Sequence, residues 1–223
     1  KSGRMPSWIV PHKIVHKNGL RIGLIGVTIY FNTFYEMICW HIRDPFTAVA
    51  EAVSAMRDRV DLLFVLSHLG LSNDRELARR IEGIDCIFGG HTHHLLERPL
   101  VEAGTIVCAA GKLGDYVGEL VLEYDPSKRQ IVNFSGVCHP TATFPDDARI
   151  VSIIDTFRQK SAQVLEEKVA DLDESLPIDW NGESVLGNLL ADGIRDWTKT
   201  DIGIVNAGQF VGGLDAGSIT LRH

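Results

Sequence analysis

The stretch Asp61-Leu62-Leu63-Phe64-Val65-Leu66-Ser67-His68, followed after a helix-length segment by Ile84-Asp85-Cys86-Ile87-Phe88-Gly89-Gly90-His91-Thr92-His93-His94, decides how this chain folds. Each part is an apolar run of strand length that ends in histidine. Two such runs joined by one helix read as a right-handed βαβ unit of a parallel sheet, with both C-terminal strand ends on one edge. Open α/β sheets bind their ligands outside those ends. His68, His91 and His93 can therefore meet in one place, and a metal site is expected there.

Neutral imidazole is the commonest side-chain ligand for divalent transition metals, and a His-x-His pair on a tight turn aims both rings at one small region. Gly89 and Gly90 suit such a turn, because glycine tolerates positive φ and lets backbone approach a ligand closely. Nine histidines make some clustering by chance expected, yet three of them in four positions, behind Gly-Gly at a strand end, are hard to assign to chance. His68 gains weight only from this neighbour, since a lone histidine after a strand is ordinarily a hydrogen-bonded edge residue. His94 diverges from His93, as adjacent side chains do, and is expected to orient a ligand or meet substrate. His12, His16, His41 and His139 lie in no such pattern and read as surface histidines.

Histidines alone leave a gap. Two divalent ions about 3.5–4 Å apart need a bridging anion, usually a carboxylate, and further Asp or Asn donors. No such cluster precedes His68. Asp44 stands before Pro45 at an apparent helix start, where a carboxylate is explained as a cap. Asp61 opens its strand, at the end away from the site.

Around this centre, Pro11 to Gly26 reads as a hairpin turning at Lys17-Asn18-Gly19, with Ile22–Val27 entering the sheet. Pro45 to Val60 has apolar residues at helical spacing and forms the crossover to Leu62–Leu66. Ser72 to Ile81 is the next helix, with Ser72 or Asn73 as cap and Gly83 as stop. Thr105–Ala110, Val117–Tyr124 and Gln130–Val137 follow as strands, the last two joined by a turn at Asp125-Pro126-Ser127. Asp146 to Val169 is a long amphipathic helix. Beyond it come a strand at Val169–Leu172, a helix at Ser184–Thr198 and a strand at Ile202–Val205.

With 45% hydrophobic and 23% charged residues, the 223 residues have the composition of a soluble globular chain. A net charge of −7 without a Lys/Arg-rich stripe speaks against a nucleic-acid polymer as partner. No apolar run approaches the roughly 18–20 residues needed to span a membrane. Cys39, Cys86, Cys108 and Cys138 show no Cys-x-x-Cys spacing, and Cys86 and Cys108 sit in strand-like runs as small hydrophobes. Four such thiols suit a reducing compartment, so a cytoplasmic location is expected.

Ser67-His68-Leu69-Gly70 followed by Gly89-Gly90-His91-Thr92-His93 resembles the second half of a calcineurin-like metallophosphoesterase domain. Leu186-Gly187-Asn188-Leu189-Leu190-Ala191-Asp192, Asp201 to Gly208 and Gly217-Ser218-Ile219-Thr220 resemble the start of the 5'-nucleotidase C-terminal domain. In this order they resemble the 5'-nucleotidase and UDP-sugar hydrolase family, closest to its bacterial bifunctional metallophosphatase members, over nearly the whole chain. The resemblance implies an α/β fold: the second half of a metallophosphoesterase β-sandwich with flanking helices, followed by the beginning of an α+β C-terminal domain. It divides the chain into residues 1–144, a linking helix at 145–168, and a substrate domain begun at 169–223. A domain of that size buries little of its surface, and dimerisation or contact with the missing portion would cover its exposed face.

The resemblance further implies two divalent ions, zinc, manganese, iron, cobalt or nickel, with His68 and His91 on one and His93 on the other. The chemistry implied is hydrolysis of a small-molecule phosphate ester by a hydroxide that bridges both ions. The family's Asp-x-His, Gly-Asp and Asn-His-Asp or Asn-His-Glu motifs are not found. Gly114-Asp115 comes too late, and Gly187-Asn188 continues into leucine. With Lys1-Ser2-Gly3-Arg4 as its start, the chain is expected to be a segment of a longer protein.

Asn206 and Gly208 would meet substrate, but the family's arginine after Asn-x-Gly-Gly is absent from Asn206-Ala207-Gly208-Gln209-Phe210-Val211, and a second basic position is Val185. Neither Gln nor Val reproduces arginine's bidentate grip on phosphate. Nucleotide sugars, cyclic nucleotides and sulfur-containing anions therefore stay open as substrates, as does a metal-binding module without catalysis. These 223 residues alone are expected to hydrolyse phosphate esters poorly or not at all, and robust metal-dependent turnover in a phosphate-release assay would contradict that.

Overall fold

The computed structural model describes residues 6–223; the start at Lys1–Arg4 lies outside the described residues. The described residues form two compact units, divided between Pro145 and Asp146.

The first unit begins with β1 (Lys13–Lys17) and β2 (Leu20–Thr28), paired as an antiparallel hairpin. Its turn residues, Asn18 (φ 51°) and Gly19 (φ 78°), both take the left-handed backbone that matches a tight hairpin to the twist of its strands. A short helix α1 (Asn32–Tyr35) leads to α2 (Pro45–Met56). Asp44 caps α2, as its position before Pro45 suggests, its Oδ1 accepting from the Thr47 amide at 2.8 Å. Next come β3 (Leu62–His68), α3 (Leu71–Arg80), β4 (Cys86–Gly89), β5 (Leu100–Glu102) and β6 (Thr105–Cys108). Strand order in the sheet is β1-β2-β3-β4-β6-β5; β2, β3, β4 and β6 run parallel, and the edge strands β1 and β5 are antiparallel. The hairpin β7 (Tyr116–Asp125) and β8 (Gln130–Pro140) makes a separate sheet.

Val49, Val53 and Met56 of α2 and Leu77, Ala78 and Ile81 at α3 are buried with Ile25, Leu63, Val65, Ile87 and Val107 of the sheet. Each of the Val, Leu, Ile and Met side chains among them contributes about 1.5–3 kcal/mol through removal from water. Gly23 allows α2 to sit directly on β2, since a methyl there would lie 2.8 Å from the Met56 methyl carbon.

The sheet's other edge is tied by charge. Arg57 donates to the Asp85 carboxylate at 2.6 Å and to the carbonyls of Gly83 and Asp61. Asp61 accepts from the Arg21 amide at 2.8 Å and from the Arg21 guanidinium at 2.9 and 3.2 Å. It therefore has a structural partner at the end of β3 away from His68.

Two local expectations change, both at α3. Helix α3 starts one residue before Ser72, and its N-cap is Gly70 (φ 89°), not Ser72 or Asn73. Its first amide, Leu71, donates instead to Thr92 Oγ at 3.1 Å, so the histidine loop caps the helix. β5 is too short to stand out as an apolar run.

In the second unit, Asp147 caps α4 (Ala148–Leu165), followed by β9 (Lys168–Leu172), α5 (Val185–Thr198) capped by Ser184, and β10 (Gly217–Thr220). β9 and β10 pair antiparallel. The strand expected at Ile202–Val205 is absent, because its backbone finds no ladder partner among the described strands. Ile150, Ile153 and Phe157 of α4 and Val185, Leu189 and Trp197 of α5 are exposed.

Hydrogen bonds from Arg21 hold the Asp61 carboxyl down to about 2, whereas in an unfolded chain it titrates near about 3.9. A depressed folded value stabilises the fold fully above the unfolded value, and that contribution is lost as pH falls through the folded value. Urea midpoints of the natural chain should accordingly fall between about pH 4 and 2, and Asp61→Asn should flatten that fall while lowering the midpoint at neutral pH. Parallel pH profiles for the two proteins would contradict this.

Candidate metal centre

The parallel register pairs Ser67 of β3 with Gly89 of β4, so both strands end together. Side chains alternate along a strand. Ser67 is therefore buried while His68, next in sequence, is exposed on the sheet edge. After Gly89 and Gly90 the chain turns, Thr92 donating its amide to the Gly90 carbonyl at 2.9 Å.

The turn brings His91 to His68, with ring centroids 5.0 Å apart and the planes at 66°. Gly90 makes room for this pair, since a methyl there would stand 3.3 Å from His68 Nδ1. His91 (φ 71°) and His93 (φ 55°) both hold left-handed backbone, an uncommon state that functional loops often retain. His93 is exposed on the same turn. His94 Nδ1 lies 2.8 Å from Thr92 Oγ, the atom that caps α3, which fixes its ring relative to the loop.

His68 and His91 suit two nitrogen donors of one divalent shell. Among the described residues, no three His, Cys, Asp or Glu side chains form a group able to hold an ion, so His93 does not join this pair as a third member of such a group. Asn206 and Gly208 belong to the second unit. There Asn206 Oδ1 accepts from the Gly208 amide at 2.9 Å, an Asx turn that leaves the Asn206 amide nitrogen free of this contact.

Sequence reasoning passed over Asp74. Its side chain is 1% exposed, and its Oδ1 accepts from the Ser67 hydroxyl. Among the described residues its Oδ2 has no hydrogen-bond partner. Burial pushes the Asp74 carboxyl above the usual carboxylate range, opposed by the Ser67 hydrogen bond and by His68. A signal for it existed: Asp74, Leu77, Ala78 and Ile81 share the i, i+3, i+4, i+7 stripe, where a carboxylate is out of place. Burial likewise pushes the Cys108 thiol up to about 11 and raises Cys86 further, so both stay protonated hydrophobes, as their strand positions suggest.

A family model described as the 5'-nucleotidase C-terminal domain matches residues 163–223. An uncharacterized metallophosphoesterase of Bacillus subtilis, YunD, is 33% identical over 222 residues, covering 99% of this chain and 48% of the relative. The 5'-nucleotidase of Mus musculus is 25% identical over 252 residues, covering 96% and 44%. Among solved structures, a 5'-nucleotidase precursor from Thermus thermophilus superposes with a TM-score of 0.75 at 26% identity, covering 94% of this chain and 47% of that one. The chain thus spans about half the length of the curated relatives it matches.

If His68 and His91 are donors, replacing either with alanine in the full-length parent should weaken metal binding at least about tenfold. Elemental analysis after dialysis checks this, and unchanged metal content in both variants would show that the donors lie elsewhere.

Proposed function

We propose that this chain, which belongs to the 5'-nucleotidase family of metallophosphoesterases, supplies part of the metal site and part of the substrate domain of a phosphoester hydrolase. The observation that carries this reading is the His68–His91 pair at the C-terminal edge of a parallel sheet. Imidazoles at such an edge, where open α/β sheets bind their ligands, are suited to hold a cation.

In this reading His68 and His91 hold one divalent ion and His93 a second. When bound, the ions supply Lewis acidity at the phosphoryl oxygens and lower the pKa of water. His68 is presented by the end of β3, and His91 by a loop anchored through Thr92 to the start of α3. His94, whose ring is held by Thr92, is the group proposed to steer a donor or a substrate oxygen. On the second unit, the Asn206 amide nitrogen is the polar donor proposed for substrate. The net charge of −7 means that an anionic substrate is drawn by the cations and not by the surface as a whole.

The stretch Asn206-Ala207-Gly208-Gln209-Phe210-Val211 lacks the arginine that the resemblance implies after Asn-x-Gly-Gly, which keeps the substrate question open beyond nucleoside monophosphates. Full-length parent treated with chelator should lose turnover of nucleoside monophosphates, nucleotide sugars and cyclic nucleotides, and regain it with zinc or manganese. Asn206→Ala should raise KM for the best of these by roughly tenfold, about 1.4 kcal/mol of binding. Turnover that persists without metal would overturn the assignment.

A further inference from the structure

We propose that Asp74 is a positioning residue that clamps the two strand ends and so sets the His68–His91 geometry; this rests on the metal-site reading above. Asp74 touches both members of the last registered pair of β3 and β4. Its Oδ1 takes the Ser67 hydroxyl, and its Oδ2 fills the space that Gly89 leaves by lacking a side chain, since a methyl at Gly89 would fall on that oxygen. The same Ser67 oxygen accepts from the Leu69 amide at 3.2 Å, so backbone on either side of His68 is held through one contact.

The consequence follows from strand geometry. Pinning Ser67 inward keeps His68 outward, because adjacent residues alternate. Pinning Gly89 fixes where the Gly90–His91 turn departs, and Gly90 in turn lies against the His68 ring. Asp74 contacts neither imidazole in these bonds, so its influence passes through Ser67 and Gly89. A buried carboxyl oxygen left without a partner is costly for the fold. Such groups persist at functional sites, where surrounding structure tolerates them for the geometry they enforce.

The test uses full-length parent and three variants: Asp74→Ala removes both contacts, Asp74→Asn keeps an acceptor and nearly the same volume, and Ser67→Ala removes the hydroxyl alone. Zinc affinity is measured by competition with a chromophoric chelator on metal-free protein, alongside its melting temperature and, after reloading, kcat and KM. Asp74→Ala should bind zinc at least tenfold more weakly and lower kcat with KM within twofold. Asp74→Asn should stay within threefold of parent in affinity, and Ser67→Ala should fall at least threefold. A purely structural role would lower the melting temperature while leaving zinc affinity of folded protein unchanged. Affinity within twofold of parent in both Asp74→Ala and Ser67→Ala, or equal losses in Asp74→Asn and Asp74→Ala, would overturn the proposal. If Asp74→Ala does not fold, the other two variants decide by the same thresholds. Parent protein that binds no zinc would instead sink the metal reading itself, together with the role assigned to Asp74.

Discussion

The parallel pairing of Ser67 with Gly89 is the constraint from which the candidate site follows. It ends two neighbouring strands at one level, so the next residues of each, His68 and Gly90-His91, emerge together. A shift of one residue would turn His68 toward the core and Ser67 toward the edge. The opposite ends of these strands are held by ion pairs, Arg57 with Asp85 and Arg21 with Asp61, while packing under the sheet comes from α2 and α3. Charge fixes one edge, and the other is left to glycines, a buried carboxyl and two imidazoles.

Glycine has two separate uses at that edge. Gly89 has no side chain because Asp74 occupies the place one would take, and Gly90 has none because His68 lies over it. The sequence suggests for the pair a positive-φ turn and a close approach of backbone to a ligand. In the fold, left-handed backbone falls on His91 and His93, while the glycines provide close approach. Thr92 links the parts by capping α3 and holding His94.

Much of this was legible in the sequence, for identifiable reasons. Apolar runs of strand length bounded by turn signals read as buried strands, so β2, β3 and β4 showed themselves, as did the Asn18-Gly19 turn and the Asp44 cap. What was hidden depends on tertiary contact. Asp74 reads as one more polar residue in Leu71-Ser72-Asn73-Asp74-Arg75-Glu76, and only its place on the stripe with Leu77, Ala78 and Ile81 marks it as inward-facing. The α3 cap was misplaced because its acceptor comes from Thr92, 21 residues later. Ile202–Val205 has strand composition, yet a strand exists only beside another.

The second unit differs in kind, with exposed Ile153, Phe157 and Trp197 on its helices and few buried side chains. The substrate contact proposed for it lies at Asn206, whereas the proposed metal donors lie at the ends of β3 and β4. The claim on which both depend is that His68 and His91 share one cation. Anomalous diffraction from crystals of the full-length parent grown with zinc tests it directly: a peak about 2.0–2.1 Å from a nitrogen of each of these two rings is the predicted result. A fully occupied zinc peak elsewhere, with both rings free of metal, would contradict it.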